Sequence, residues 1–255
     1  MITPRPQDAL HIAWLYRVLS ALADDASLAR VLYFKGGTCA AMLGWLDRFS
    51  IDLDFDYVGG PERMTETRTA MESTFRTLGM TIHDQSAATP QYFLKYPSKL
   101  GERNTLKIDV TYPPQRANCY APQRFIDIDR VMTCQTLETM FANKLAAVTD
   151  RYAKTKAIAG RDIYDVHYFF THGTEYDTAV FEERTGKSAE RALAELHEFI
   201  AQHVTDTLLV QDLNTLLPYE QFRALRPTLK TETLLMLKHE MSRLGAQARN
   251  SSRGT

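Results

Sequence analysis

Asp52, Asp54 and Asp56 occupy every second position of the segment SIDLDFDY. In an extended chain residues two apart point to one face, so the three carboxylates share a face and Leu53, Phe55 and Tyr57 share the other. The apolar face is core. The acidic face needs another reason, because neighbouring like charges repel, and more strongly as the local dielectric falls. A divalent cation removes that repulsion. Mg2+ is a hard ion that takes oxygen ligands, commonly one or two carboxylates together with substrate phosphates. The competing reading is a solvated edge strand whose charges deter aggregation.

Upstream lies KGGT, Lys35 to Thr38. It follows a predicted strand and opens a predicted helix. Gly36 and Gly37 leave room for close backbone approach, and Thr38 can donate a hydroxyl. A helix N-terminus presents unpaired N–H groups and a positive dipole end to an anion. The spacing is neither that of a P-loop nor GxGxxG. GGT followed by strand-borne DLD points to a phosphate cradle beside a metal site. A further strand, TLKIDVTY, places Lys107 and Asp109 on one face, where the lysine could contact phosphate.

The elements that must position these residues are legible from periodicity. PQDALHIAWLYRVLSALADD and PERMTETRTAMESTFRTLG read as helices, ARVLYF as a strand, and GGTCAAMLGWL as a helix. TIHD, QYFLKYP, TLKIDVTY and RFIDI are further strand candidates. After Thr133 the pattern becomes helical: QTLETMFANKLAAVTDRY, RDIYDVHYFFTH, SAERALAELHEFIAQHV and KTETLLMLKHEMSRLG. The end, AQARNSSRGT, is polar and expected to fray. A mixed αβ half over 1–133 and a helical half over 134–255 are expected.

Composition sets the class. The chain has 255 residues, 44% hydrophobic and 24% charged, with a net charge of −1. No apolar run approaches the roughly 20 residues of a membrane span. The start, MITPRPQDALHIAW, lacks the order of a signal peptide. A cytoplasmic protein without a membrane partner is expected. Cys39, Cys119 and Cys134 are odd in number and form no CxxC pair, so zinc and disulfides are not expected and buried thiols are. From Lys95 to Arg161 there are 12 Lys and Arg against 6 Asp and Glu. Such a surplus suits an anionic ligand, or is a scatter of solvated side chains.

The Gly-Gly turn, short helix and Asp-x-Asp strand resemble the nucleotidyltransferase superfamily. More narrowly, KGGT…DRFSIDLDF resembles the AbiEii/AbiGii toxin family, which includes the MenT toxins. LKIDV supplies Lys107 and Asp109 at that family's Lys-x-Asp strand. ETMFANKLAAVTDR supplies Glu138 and Lys144, and GRDIYDVHYF supplies Arg161, Asp162 and Asp165. The four motifs cover Lys35 to Phe169, and the helices beyond carry none.

The resemblance implies an α+β fold: a nucleotidyltransferase-type mixed sheet with flanking helices plus a helical C-terminal half. It implies a toxin that transfers NMP from an NTP to RNA, the tRNA 3′ end being the leading acceptor, with Mg2+ or Mn2+ as cofactor. The setting is a toxin–antitoxin or abortive-infection system, with a cognate antitoxin protein or RNA as partner. Asp52 and Asp54 would hold the metal. Asp109 would hold a second metal or take the proton of the attacking hydroxyl. Lys144 and Asp165 complete the catalytic set, while Gly36, Gly37, Thr38, Arg48, Ser50, Lys107 and Arg161 contact nucleotide.

Asp56 lies beyond the family motif and is expected to be solvated. Lys144, in the apolar stretch ANKLAAV, needs a partner, which a phosphate or Asp165 could be. The competing reading is a snorkelling surface lysine; if Lys144 instead reaches the triphosphate, its removal is expected to abolish transfer and change stability by less than about 1 kcal/mol. Asp162 and Asp165, with Arg161 beside them, could instead form a helix-stabilising ion pair. Two other functions remain open: small-molecule nucleotidyl transfer, and a non-catalytic nucleotide- or RNA-binding module.

Overall fold

The computed structural model describes residues 6–99 and 103–251. The leader expectation for MITPR and the fraying expected of SRGT fall outside the described residues. The chain divides into two compact units, Met1–Pro114 with Asn118–Thr136, and Gln115–Ala117 with Leu137–Thr255. Among the described residues no helix is long and apolar enough to cross a membrane.

The first unit contains α1 (Ala9–Asp24), α2 (Ala26–Ala29), β1 (Leu32–Lys35), α3 (Gly36–Met42), β2 (Leu53–Tyr57) and α4 (Met64–Thr77). It continues with β3 (Thr81–Gln85), β4 (Tyr92–Lys95), β5 (Thr105–Thr111), β6 (Tyr120–Phe125) and β7 (Arg130–Gln135). The strands form one mixed sheet in the order β3-β4-β5-β2-β1-β7-β6. β2 runs parallel to β5 and β1 parallel to β7, the other pairs being antiparallel.

Period-two alternation decides which face is core. Phe34, Leu53, Phe55, Tyr57, Ile108 and Cys134 are fully buried on one side. Phe34 meets Phe55 and Phe125, and Phe75 of α4 meets Tyr92 edge to face. Each such ring contributes about 1.5–3 kcal/mol of transfer free energy.

Three local expectations are corrected. RFIDI is a strand only to Phe125; Ile126–Ile128 is a 3-10 turn, and Asp129 with φ 50° reverses the chain. The segment RVMTCQ is strand β7, so the sheet reaches Gln135 before the helices begin. GGTCAAMLGWL stops being helical at Met42, where Gly44 at φ +73° follows in a conformation most side chains avoid. Among the thiols, Cys39 and Cys134 are buried but Cys119 is exposed, because it sits in the connection ahead of β6.

The second unit contains α5 (Leu137–Thr155), α6 (Gly160–Thr171), α7 (Thr178–Thr185), α8 (Ala189–His203), α9 (Asp206–Leu213), α10 (Tyr219–Leu225) and α11 (Leu229–Ser251). α5 packs on α6 and α7, and α11 on α6 and α8. Phe141 anchors this core against Phe169, Phe170 and Tyr176. The short helices α7, α9 and α10 left no periodic signal, since two turns sample an apolar stripe too briefly. The polar AQARN continues inside α11 rather than fraying.

Candidate active site

Strand register assembles the polar face of the sheet. Lys35 of β1 lies opposite Asp54 of β2, which lies beside Asp109 of β5. One row along, Tyr33, Asp56 and Thr111 align in the same way. The side chains of both rows, with Lys107, point away from the apolar core because residues two apart share a face. Asp54 and Asp109 are therefore neighbours across a parallel pair. Lys107 donates to Asp109 Oδ2 at 2.5 Å. Asp52 precedes β2, and its carbonyl accepts from Thr38 Oγ at 2.5 Å.

Gly36 explains the turn. Its φ is +80°, and a Cβ there would lie 2.3 Å from Asp54 Oδ2. The backbone thus rests directly on the carboxylate. A Cβ on Gly37 would meet Ser50 Oγ at 2.9 Å and an Arg48 nitrogen at 3.0 Å. Arg48 is buried and donates to the Phe49 carbonyl, so it supports the turn from beneath. Gly36→Ala is expected to destabilise the protein by about 1–2 kcal/mol from the left-handed backbone alone. It should also displace Asp54 and depress transfer, measured by thermal melting beside a transfer assay. A variant that melts and turns over as wild type does would show that the turn relaxes freely.

Asp56 is corrected from solvated to buried: its side chain is 1% exposed. Lys35 donates to Oδ1 at 2.6 Å. Gln135, Tyr120 and Asn118 donate to Oδ2 at 2.6, 2.9 and 3.1 Å. Burial, and then the Asp56 charge, hold the Tyr120 phenol far above its ordinary value, so it stays protonated and donates. The sequence could not reveal this, since three of the donors lie more than sixty residues away. Only Lys35, inside KGGT, stood near a motif.

His11 fixes the approach to β2. Its Nε2 donates to the Ile51 carbonyl at 2.8 Å, which leaves Nδ1 to accept from Tyr96 at 2.8 Å. Burial holds its pKa below the ordinary value; Arg103 lowers it further, while the Ile51 carbonyl, Asp52 and Asp8 oppose. The unfolded histidine titrates near 6.5, so below about that pH the unfolded chain takes a proton that the folded chain resists. Stability should be full above that value and decline as pH falls toward the depressed one. His11→Gln should flatten this part of the profile, read as melting temperature between roughly pH 7.5 and 5. An unchanged slope would assign the acid loss to other groups.

The motifs of the second unit are joined by ion pairs. Lys144 Nζ lies 2.7 Å from Asp165 Oδ2, with side-chain exposures of 16% and 0%. Arg151 lies 2.8 Å from Asp162, whose side chain is 3% exposed. The partner of Asp162 is thus Arg151 of α5, because α5 packs against the buried face of α6 on which Asp162 lies. Lys144 is neither snorkelling nor an ordinary surface lysine. The Gly160 N–H that opens α6 is capped by Asp212 at 2.6 Å, and Arg161 beside it is half-buried. His167 is buried and pairs with Glu232 at 2.7 Å.

Five of the cations between Lys95 and Arg161 meet carboxylates: Lys107, Arg124, Arg130, Lys144 and Arg151. Three of these pairs, those of Arg130, Lys144 and Arg151, draw on carboxylates outside the segment and so offset about half of its surplus. Among the described residues no three His, Cys, Asp or Glu side chains form a metal cage. The donor chemistry still suits a hard cation, because Asp54 and Asp109 are carboxylates at paired positions of neighbouring strands and Mg2+ commonly completes its shell from water and phosphate.

A mixed sheet with carboxylates on adjacent strands beside a Gly-Gly turn is a nucleotidyltransferase-type architecture. Its fold is similar to that of JHP933 from Helicobacter pylori, at 20% identity and TM-score 0.61 over 98% of this chain and 99% of that one. It is also similar to MenT4, a nucleotidyltransferase toxin from Mycobacterium tuberculosis, at 19% identity and TM-score 0.56 over 93% and 87%. The search of curated proteins returned no match. Residues 17–238 match the nucleotidyl transferase AbiEii toxin family of type IV toxin–antitoxin systems, and the chain belongs to that family. It is a nucleotidyltransferase.

Proposed function

We propose that this enzyme transfers a nucleoside monophosphate from an NTP to a hydroxyl of RNA, with the tRNA 3′ end as acceptor and Mg2+ or Mn2+ as cofactor. The observation that carries the reading is the register of Asp54 beside Asp109 under the Gly36 backbone. Asp52, Asp54 and Asp109 would supply the oxygen ligands. A divalent cation bound there offsets the charge of the carboxylates and of the triphosphate.

The acceptor oxygen attacks the α-phosphorus, a new P–O bond forms, and the bond to pyrophosphate breaks. Asp109 takes the hydroxyl proton, and a carboxylate positioned at that proton contributes roughly 10²–10⁴ in rate. Lys107 donates to Asp109 Oδ2 and holds that carboxylate in place on the polar face. Gly36 and Gly37 let the backbone approach the phosphates, Thr38 ties that turn to residue 52, and Arg48 and Ser50 support it. Lys144, Asp165 and Arg161 complete the functional set by family resemblance. RNA as acceptor is supported by the net positive charge of the Lys95–Arg161 segment, 12 Lys and Arg against 6 Asp and Glu. A cognate antitoxin is the partner that a type IV system supplies.

The test is direct. Purified protein, total tRNA and each labelled NTP are incubated with Mg2+, with Mn2+ and with EDTA. Label on tRNA that disappears in EDTA is the expected result. Label only on an added small-molecule alcohol would move the acceptor to that class. NTP binding without transfer to any acceptor would make the protein a binding module.

A further inference from the structure

Lys35 immediately precedes the glycine turn, and its Cα partner across the strand pair is Asp54. Its ammonium donates to Asp56 Oδ1 at 2.6 Å and to Thr111 Oγ at 2.7 Å. A lysine has three N–H donors. No acceptor among the described residues takes the third. The side chain is 19% exposed, whereas Asp56 is 1% exposed. A cation is thus held in a fixed position on the polar face, next to the Asp54–Asp109 row, with one donor to spare.

We propose that Lys35 binds the phosphate chain of the nucleotide, and that Asp56 is the positioning residue that fixes it there. The inference rests on the transferase reading and names a residue within that site. Stability alone does not account for the arrangement, because apolar residues of similar volume commonly replace a buried ion pair without loss. Asp56 is also over-provided for a structural pair. Three neutral donors, Gln135, Tyr120 and Asn118, hold its second oxygen and leave the first for Lys35. Lysine chains ordinarily lose rotamer freedom when they bind. Here that loss is taken on folding, so binding a phosphate orders nothing further. Lys107, two residues before Asp109 on the same strand face, is already paired with that carboxylate.

The experiment compares Lys35→Met, Asp56→Asn and the double variant, all in the full chain. NTP affinity, nucleoside affinity, transfer kinetics and melting temperature are measured for each. Lys35→Met alone is expected to melt lower, since Asp56 loses its cation. The double variant removes both charges and should melt close to wild type. It should nevertheless bind NTP and transfer at least tenfold more weakly, with nucleoside affinity unchanged. A double variant with wild-type NTP affinity and KM overturns the proposal and leaves Lys35 a structural counterion.

Should the double variant not fold, Lys35→Arg keeps the charge and the Asp56 partner. A raised NTP KM at wild-type melting temperature then supports the proposal, and wild-type kinetics overturn it. Wild-type protein run in parallel separates the two layers. If it transfers to no acceptor, the transferase reading fails, whereas the NTP affinities still decide the role of Lys35.

Discussion

Asp54→Asn is expected to lower nucleotidyl transfer at least a hundredfold while the protein remains folded. Removing one electrostatic group aimed at a reacting centre typically costs about 10²–10³ in rate. Asp54 stands at the middle of the row, between Lys35 and Asp109, with the Gly36 backbone resting on its carboxylate. The amide has nearly the same shape, so it fits beneath Gly36, but it lacks the charge that holds a cation. Loss of charge beside Asp109 also relieves repulsion, so the melting temperature should hold or rise slightly. Single-turnover transfer and thermal melting, measured on the same preparation, decide it. Transfer within a few fold of wild type would remove Asp54 from the chemistry. A collapse in melting temperature with activity retained in the cold would make it a structural residue.

Lys144→Ala carries the largest expected effect on stability. The sequence suggested a change below about 1 kcal/mol, as for a surface position. The structure replaces that figure, because the partner carboxylate, Asp165, is fully buried. Removing one member of a buried pair typically costs about 3–5 kcal/mol, since the other charge is left without its counterion. With Lys144 itself 16% exposed, the lower end applies. For a chain of this size a loss of about 3 kcal/mol lowers the melting temperature by roughly 6–12 °C. The double variant Lys144→Met with Asp165→Asn removes both charges and should recover most of that loss. If the neutral pair recovers stability and still transfers nothing, the two residues have a role in the reaction besides packing. If Lys144→Ala melts within a degree or two of wild type, the pair contributes nothing to stability, and any lost transfer belongs to the reaction itself.

Much of the site was written locally. The alternation of SIDLDFDY fixes which side chains of β2 face away from the core, because the strand period is two whatever the partner strands are. KGGT required a turn at Gly36, since only glycine enters a φ of +80° with a carboxylate against its Cα. TLKIDVTY put Lys107 and Asp109 on one face for the same periodic reason. The family motifs then ordered these pieces along the chain.

What the sequence could not determine is which residues become neighbours. That Asp54 stands beside Asp109 follows from β2 pairing parallel with β5, a register between strands more than fifty residues apart. Asp56 shows the limit most clearly. Its own neighbourhood predicts a solvated charge, and it is buried because Lys35, Asn118, Tyr120 and Gln135 arrive from three other strands and a connection to satisfy it. Lys144 is the second case, since its helix could not say whether phosphate or Asp165 lies within reach, and the packing of α5 on α6 settles on Asp165. Periodicity along a chain sets the direction of a side chain. The free energy of a charge depends on which partners surround it, and those partners come only from tertiary pairing.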